Sequence, residues 1–265
     1  MLVASLIISV YKNIEALHLI LLSAIRQSNS NFEIIIAEDN DSKDMKDFIA
    51  HFKLNSPLPI KHISQKDEGF MKNKALNQAI AISESEYIIF IDGDCIMHKH
   101  FIKMHIKHKE KDKILFGRRV LLSEKLTYEL YETQNLRLLT LRNLIASKSN
   151  YVETALFLPF LPSKISNSLG ICGSNWSIHK KDLLEVNGFD EDYYLPGYGE
   201  DTDIELRLFK KNMHLKKLKN KAIQYHLHHK LNYTDSIEMG NLLEAKIQEG
   251  LMYCKNGIDK YLKNN

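Results

Sequence analysis

A short apolar run that ends in two carboxylates constrains this chain more than any other feature: Tyr87-Ile88-Ile89-Phe90-Ile91-Asp92-Gly93-Asp94. The β-rich run predicts a buried strand. In an open α/β sheet, residues just beyond a strand's carboxyl end face the ligand crevice. Two acids there repel each other unless a proton or a cation lies between them. Hard divalent cations take oxygen ligands and commonly bridge such carboxylates to substrate phosphates. Gly93 has no Cβ, so backbone or ligand can come close. The stretch therefore predicts a metal–diphosphate site, against the plainer alternative of an Asp-Gly-Asp turn.

The flanking pattern supports an α/β sheet. Apolar strands are expected at 2–10, 32–37, 60–64 and 87–91, alternating with helices at 14–26, 43–52 and 73–83. Such alternation predicts parallel strands with right-handed crossovers. Beyond residue 100 the pattern loosens. Helices are expected at 101–111, 126–145, 181–186, 203–211 and within 237–262, with strands inside 114–122, 171–178 and 215–229. The proline-broken Phe157–Pro162 segment reads as a core plug, or as a lip touching lipid or a partner.

The chain has 265 residues and a net charge of +3, which suits one large α/β domain and gives no expectation of a nucleic-acid partner. The basic runs 99–113 and 210–221 read as solvated faces. Three cysteines (Cys95, Cys172, Cys254) without CxxC spacing point to a reducing compartment. No signal peptide is read at the N-terminus, and no apolar run reaches the roughly 18 residues of a spanning helix.

Other constellations carry chemistry. Gly197-Tyr198-Gly199-Glu200-Asp201-Thr202-Asp203 places acids at an expected helix start, where the macrodipole favours them. Capping by Asp201 or Thr202 accounts for one or two of them; a carboxylate poised as general base accounts for the rest. His226, His228 and His229 follow an expected strand, on which His226 and His228 share a face. Imidazole there suits a Mn²⁺-like ion. His98, His100, His105 and His108 read as surface residues. Lys72 and Lys74 are suited to neutralising phosphate. Trp176, the only tryptophan, reads equally as a sugar-stacking platform or as core.

With these residues in view, the chain resembles the family 2 inverting glycosyltransferases of GT-A fold. Ser5–Tyr11 resembles the opening strand of that family. Glu38-Asp39-Asn40-Asp41-Ser42 resembles its nucleoside loop, with Glu38 and Asn40 departing from the pattern. Asp92-Gly93-Asp94 resembles its DxD motif. Asp67–Phe70, Gly117–Val120 and Asn187–Glu191 look like a bacterial subgroup related to chondroitin polymerase. Gly199–Asp203 is similar to a β-1,4-galactosyltransferase motif, with Thr202 in place of an acid.

The resemblance implies a nucleotide-diphospho-sugar transferase fold: a mostly parallel central sheet flanked by helices, with a C-terminal helical extension. Residues 1–230 would form the transferase domain, 1–122 its donor half and 123–230 its acceptor half, with 231–265 the extension. It implies a UDP-sugar pocket of Tyr11, Glu38, Asp39, Asp67, Lys74, Asp92, Gly93, Asn175 and Trp176. A Mn²⁺ or Mg²⁺ ion would be held by Asp94 and His226, with Asp92 and His228 as further candidates. Asp201 would be the catalytic base, with Glu200 holding a sugar hydroxyl. The expected acceptor is a glycan or lipid-linked glycan of a bacterial surface polysaccharide, capsule or lipopolysaccharide. The expected location is the cytoplasm, including attachment to the inner face of a membrane. The alternatives are a nucleotidyltransferase, using the same crevice and metal, and a non-catalytic nucleotide-sugar-binding partner.

Overall fold

A computed structural model describes residues 2–166, 168–171, 173–197, 199–230 and 236–262. Cys172, Tyr198 and residues 231–235 of the expected extension lie outside the described residues. The strands are β1 (Ala4–Val10), β2 (Phe32–Glu38), β3 (Ile60–Ser64), β4 (Tyr87–Asp92), β5 (Cys95–Met97), β6 (Lys113–Phe116), β7 (Arg118–Leu121), β8 (Ile165–Ser166), β9 (Trp176–His179), β10 (His214–Lys217) and β11 (Ile223–His226). The helices are α1 (Ile14–Ala24), α2 (Lys43–Leu54), α3 (Lys72–Ile82), α4 (Phe101–His108), α5 (Glu124–Thr133), α6 (Leu141–Ala146), α7 (Lys180–Glu185), α8 (Glu200–Lys210), α9 (Ile237–Glu249) and α10 (Asp259–Leu262).

The main sheet has the order β3-β2-β1-β4-β9-β6-β10-β8. Its first four strands are parallel, with Ile7 opposite Ile35 on one side and Phe90 on the other. Both faces of β1, β2 and β4 are covered, which is why they read as near-continuous apolar runs, whereas the edge strand β3 is only half-buried. Alternate side chains separate two cores. Leu6, Ile8, Ile34, Ile36, Ile89 and Ile91 pack under α1, α2 and α4; Ile7, Ile35, Ile88 and Phe90 pack under α3, α7 and α8. Beyond β4 the sheet is mixed: β9 runs antiparallel to both β4 and β6 and β8 antiparallel to β10, while β6 and β10 are parallel, so the sheet is mostly parallel as expected. A second sheet, β5-β11-β7, lies beyond the end of β4.

Three expectations are corrected. The single helix at 126–145 is broken, because Gln134 ends α5 in a left-handed conformation (φ 50°) and Asn135 caps a short 3₁₀ turn at Leu136–Leu138. Of the four histidines around α4, expected at the surface, His105 is buried and His98, His100 and His108 are half-buried. His105 is wholly buried, its Nδ1 2.7 Å from Ser177 Oγ and its Nε2 3.2 Å from Asn175 Oδ1. His98 and His100 pack against Phe157, with ring centroids 5.0 and 4.9 Å apart. The Phe157–Pro162 segment divides accordingly: Phe157 fills a gap, while Phe160 is 77% exposed. Among the described residues no helix is long and apolar enough to cross a membrane.

Candidate active site

The strand order reverses direction between β1 and β4, and the site gathers at their carboxyl ends. Gly93 N–H donates to Ser9 O at 2.6 Å, drawing the turn after β4 over the end of β1. A Cβ on Gly93 would lie 2.8 Å from that oxygen, so the approach requires glycine. Ser9 Oγ and Lys72 Nζ each donate to Asp92 Oδ1 at 2.9 Å.

Asp94 meets the second sheet. β11 runs antiparallel to β5, with His226 opposite Cys95, and Leu227 N–H donates to Asp94 O at 2.9 Å. This pairing carries His226 Nε2 to 3.4 Å and His229 Nε2 to 3.2 Å from Asp94 Oδ2. Burial pushes the Asp94 carboxyl up, but the two imidazoles outweigh it and hold it below the ordinary range. Burial lowers His226, keeping it neutral, the ligating form; His229 is raised chiefly by its bond to Asp94. Ligand atoms of Asp94, Cys95 and His226 lie within 4.8 Å of one another. Cys95 is buried and its thiol is pushed well above its usual pKa, so it stays protonated and offers a hard cation little. One carboxylate with flanking imidazoles fits a Mn²⁺-like ion. His228 is exposed, its backbone N–H donating to Thr127 Oγ1, and it makes no contact with Asp94. The reason is that β11 ends at His226, so strand alternation no longer orients the residues after it.

The acids of α8 come to the same place. Gly199 begins the helix at φ 100° with no side-chain cap, so neither Asp201 nor Thr202 is its cap. Asp203 is spent on Arg207 Nε at 2.8 Å. Glu205 accepts from Gly170 N–H at 2.8 Å and Ile171 N–H at 3.1 Å, and Asp201, one turn earlier, from Gly173 N–H at 3.0 Å. A Cβ on Gly173 would lie 2.6 Å from Asp201 Oδ2. Burial raises Asp201, with Lys72 opposing and Asp92 adding; burial and then Asp201 raise Glu200. Lys72 joins the two acidic segments. Burial pulls its ammonium down, but Asp92, Asp201 and Glu200 together hold it well above its ordinary value. Arg119 lies in the same field, lowering both Asp201 and His226.

At the expected nucleoside end, Asp39 accepts from Gln65 Nε2 at 2.7 Å and Met71 N–H at 2.8 Å; burial raises its pKa and Lys74 opposes that. Tyr11 is half exposed, its hydroxyl donating to Asp67 Oδ2 at 3.2 Å, with Lys12 Nζ 2.6 Å from the same carboxylate. Three pocket expectations are corrected by burial. Glu38 is fully buried and occupied by His62 Nε2 at 2.8 Å and Ser42 N–H at 3.4 Å. Trp176 is 1% exposed and stacked on Phe90 at 4.4 Å, so it is core and no sugar platform. Asn175 donates to the Arg118 and Ala222 carbonyls at 3.3 and 3.0 Å, which fixes it as a tie between strands.

Sequence reasoning gave Lys72 only a general phosphate role and gave Arg119 none of its own. A charged pair inside the β-run of Gly117–Val120 was the available signal for Arg119. His229 was named only within its cluster.

Residues 5–164 match the family described as glycosyl transferase family 2, and residues 162–230 that described as the N-terminal domain of galactosyltransferase. Escherichia coli chondroitin synthase is 23% identical over 267 residues, covering 94% of this chain; the chain spans 38% of that protein's length. The S. aureus TarS 1–349 structure in complex with UDP-GlcNAc has a TM-score of 0.61 at 15% identity, covering 98% of this chain and 69% of that one. A Pyrobaculum calidifontis mannosyltransferase in complex with GDP-Man and Mn²⁺ has a TM-score of 0.59 at 12% identity, covering 87% of this chain and 58% of that one. These likenesses establish the shared GT-A fold.

Proposed function

This chain belongs to glycosyl transferase family 2, and we propose that it moves a hexose or N-acetylhexosamine from a UDP-sugar to a hydroxyl of a glycan acceptor with inversion at the anomeric carbon. The observation that carries this reading is the position of Lys72, paired with Asp92 and drawn also by Glu200 and Asp201. One cation thus spans the acids at the end of β4 and those at the start of α8.

Asp201 takes the proton of the acceptor hydroxyl as that oxygen attacks. Its Gly173 N–H contact fixes the carboxylate, and its raised pKa suits a proton acceptor. Glu200 holds a sugar hydroxyl. Lys72 offsets diphosphate charge, and Tyr11, Asp39, Asp67 and Lys74 border the nucleoside. Asp94 and His226 would hold a Mn²⁺ or Mg²⁺ ion, with His229 hydrogen-bonded to the same carboxylate, and the ion would supply Lewis-acid stabilisation of charge on the departing diphosphate. UDP is preferred on the likeness to the TarS complex, and an acceptor in a bacterial surface polysaccharide on the likeness to chondroitin synthase. A location at the inner membrane face accords with that acceptor. No observation favours nucleotidyl transfer or a non-catalytic binding role.

Thermal shift with UDP, GDP and dTDP, with and without Mn²⁺, tests the reading. Ligand at a hundred times Kd stabilises by about 2.7 kcal/mol. UDP with Mn²⁺ is expected to give the largest rise. Asp94→Asn is expected to lose the Mn²⁺ increment and His228→Ala to keep it. An equal rise for all three nucleotides, or none, contradicts the donor assignment.

A further inference from the structure

Beside the catalytic-base candidate lies a cavity of about 450 Å³ whose lining carries four cations, Arg118, Arg119, Lys217 and Lys219, against a single carboxylate, Glu153. It adjoins Asp201 through one short strap. Gly173 N–H bonds Asp201, and the next residue, Ser174, lines the cavity and receives Arg119 Nη1 at 3.4 Å. The basic run at 210–221 was expected to be a solvated face, but it divides. Lys211 pairs with Asp182 at 3.2 Å and Lys216 with Glu110 at 2.6 Å. Lys217, Lys219 and Arg118 have no carboxylate partner among the described residues. Burial lowers Lys217, and Arg118, Lys219 and Lys164 add repulsion. Like charges gathered in a concavity cost free energy that a bound anion recovers. Tyr151, an exposed aromatic held at φ 55°, stands at the same wall. A bulky residue at positive φ is a strained feature that clusters at binding sites.

We propose that this cavity receives the acceptor and that the acceptor is an anionic glycan, carrying a carboxylate or phosphate near the attacked hydroxyl. The inference rests on the transferase reading for its assignment to the acceptor. Guanidinium and ammonium groups recognise both oxyanions, Arg118 through a planar fork and the lysines as point charges.

Isothermal titration of the full chain tests it with three probes: a hyaluronan hexasaccharide (carboxylate), a glycerol-phosphate hexamer (phosphate) and neutral chitohexaose. At least one anionic probe is expected to bind about tenfold or more tightly than chitohexaose, the winner identifying the oxyanion. The double variant Lys217→Ala/Lys219→Ala is expected to weaken that probe about tenfold while binding UDP as the parent does. Chitohexaose binding as tightly as both anions, no binding by any probe, or an unchanged double variant would overturn the proposal. UDP titration of the parent is the separate arm: its failure sinks the donor reading and leaves the anion comparison readable.

Discussion

Single side chains in this site are held in two ways, some by neighbours in sequence and others by partners far along the chain, as Asp201 is by Gly173 N–H at 3.0 Å. The place of Asp92 and Asp94 at the end of β4 follows from the apolar run before them and the glycine between them. Trp176 and Glu38 were not readable in this way, because burial is decided by partners far away in sequence: Phe90 beneath the indole, and His62 beside the carboxylate. His229 escaped because the strand alternation used to rank the three histidines stops at His226. One pH prediction belongs here. Burial raises Asp201 above its ordinary value near 3.8, and proton acceptance requires its ionised form. The kcat/KM of transfer is therefore expected to fall as pH drops through an apparent pKa above that value. Glu200, the adjacent carboxylate, is raised by burial and by Asp201, so the limb is read as a macroscopic pKa of the acidic segment. A profile flat down to pH 3.8 would remove Asp201 from the proton transfer.

Among the elements, β1 to β4 and α1 to α3 were legible because each buries both faces or one stripe and declares its period. The strands that build the rest of the site are three or four residues long, and their partners lie far away in sequence, as His226 opposite Cys95 shows. Register there is a tertiary decision. Helix α9 shows the same dependence. Its Lys246 reaches back to Asp190 at 2.7 Å and Asp192 at 2.5 Å, tying the C-terminal helix to the loop before α8. Asp190 is 1% exposed, so removing its counter-charge strands a buried carboxylate. Lys246→Ala is expected to cost about 3 kcal/mol in chemical denaturation and to speed amide exchange in α9. A loss below about 0.5 kcal/mol would mean the tie is a surface pair of little consequence.

For the whole molecule, the parallel half and the switch between β1 and β4 could be anticipated from alternation alone, and they place the crevice. That the second acidic segment enters the same crevice could not, since it depends on α8 packing on the face shared by Ile7 and Phe90. This convergence is the centre of the account, and Asp201→Asn probes it directly. Asparagine can still accept the Gly173 N–H bond, so the fold and the nucleotide end should persist. With Mn²⁺ and a UDP-sugar, the variant is expected to lose transfer by about 10²–10⁴-fold while its affinity for UDP stays within about twofold of the parent. Transfer at the parental rate would contradict the claim that the two acidic segments serve one reaction.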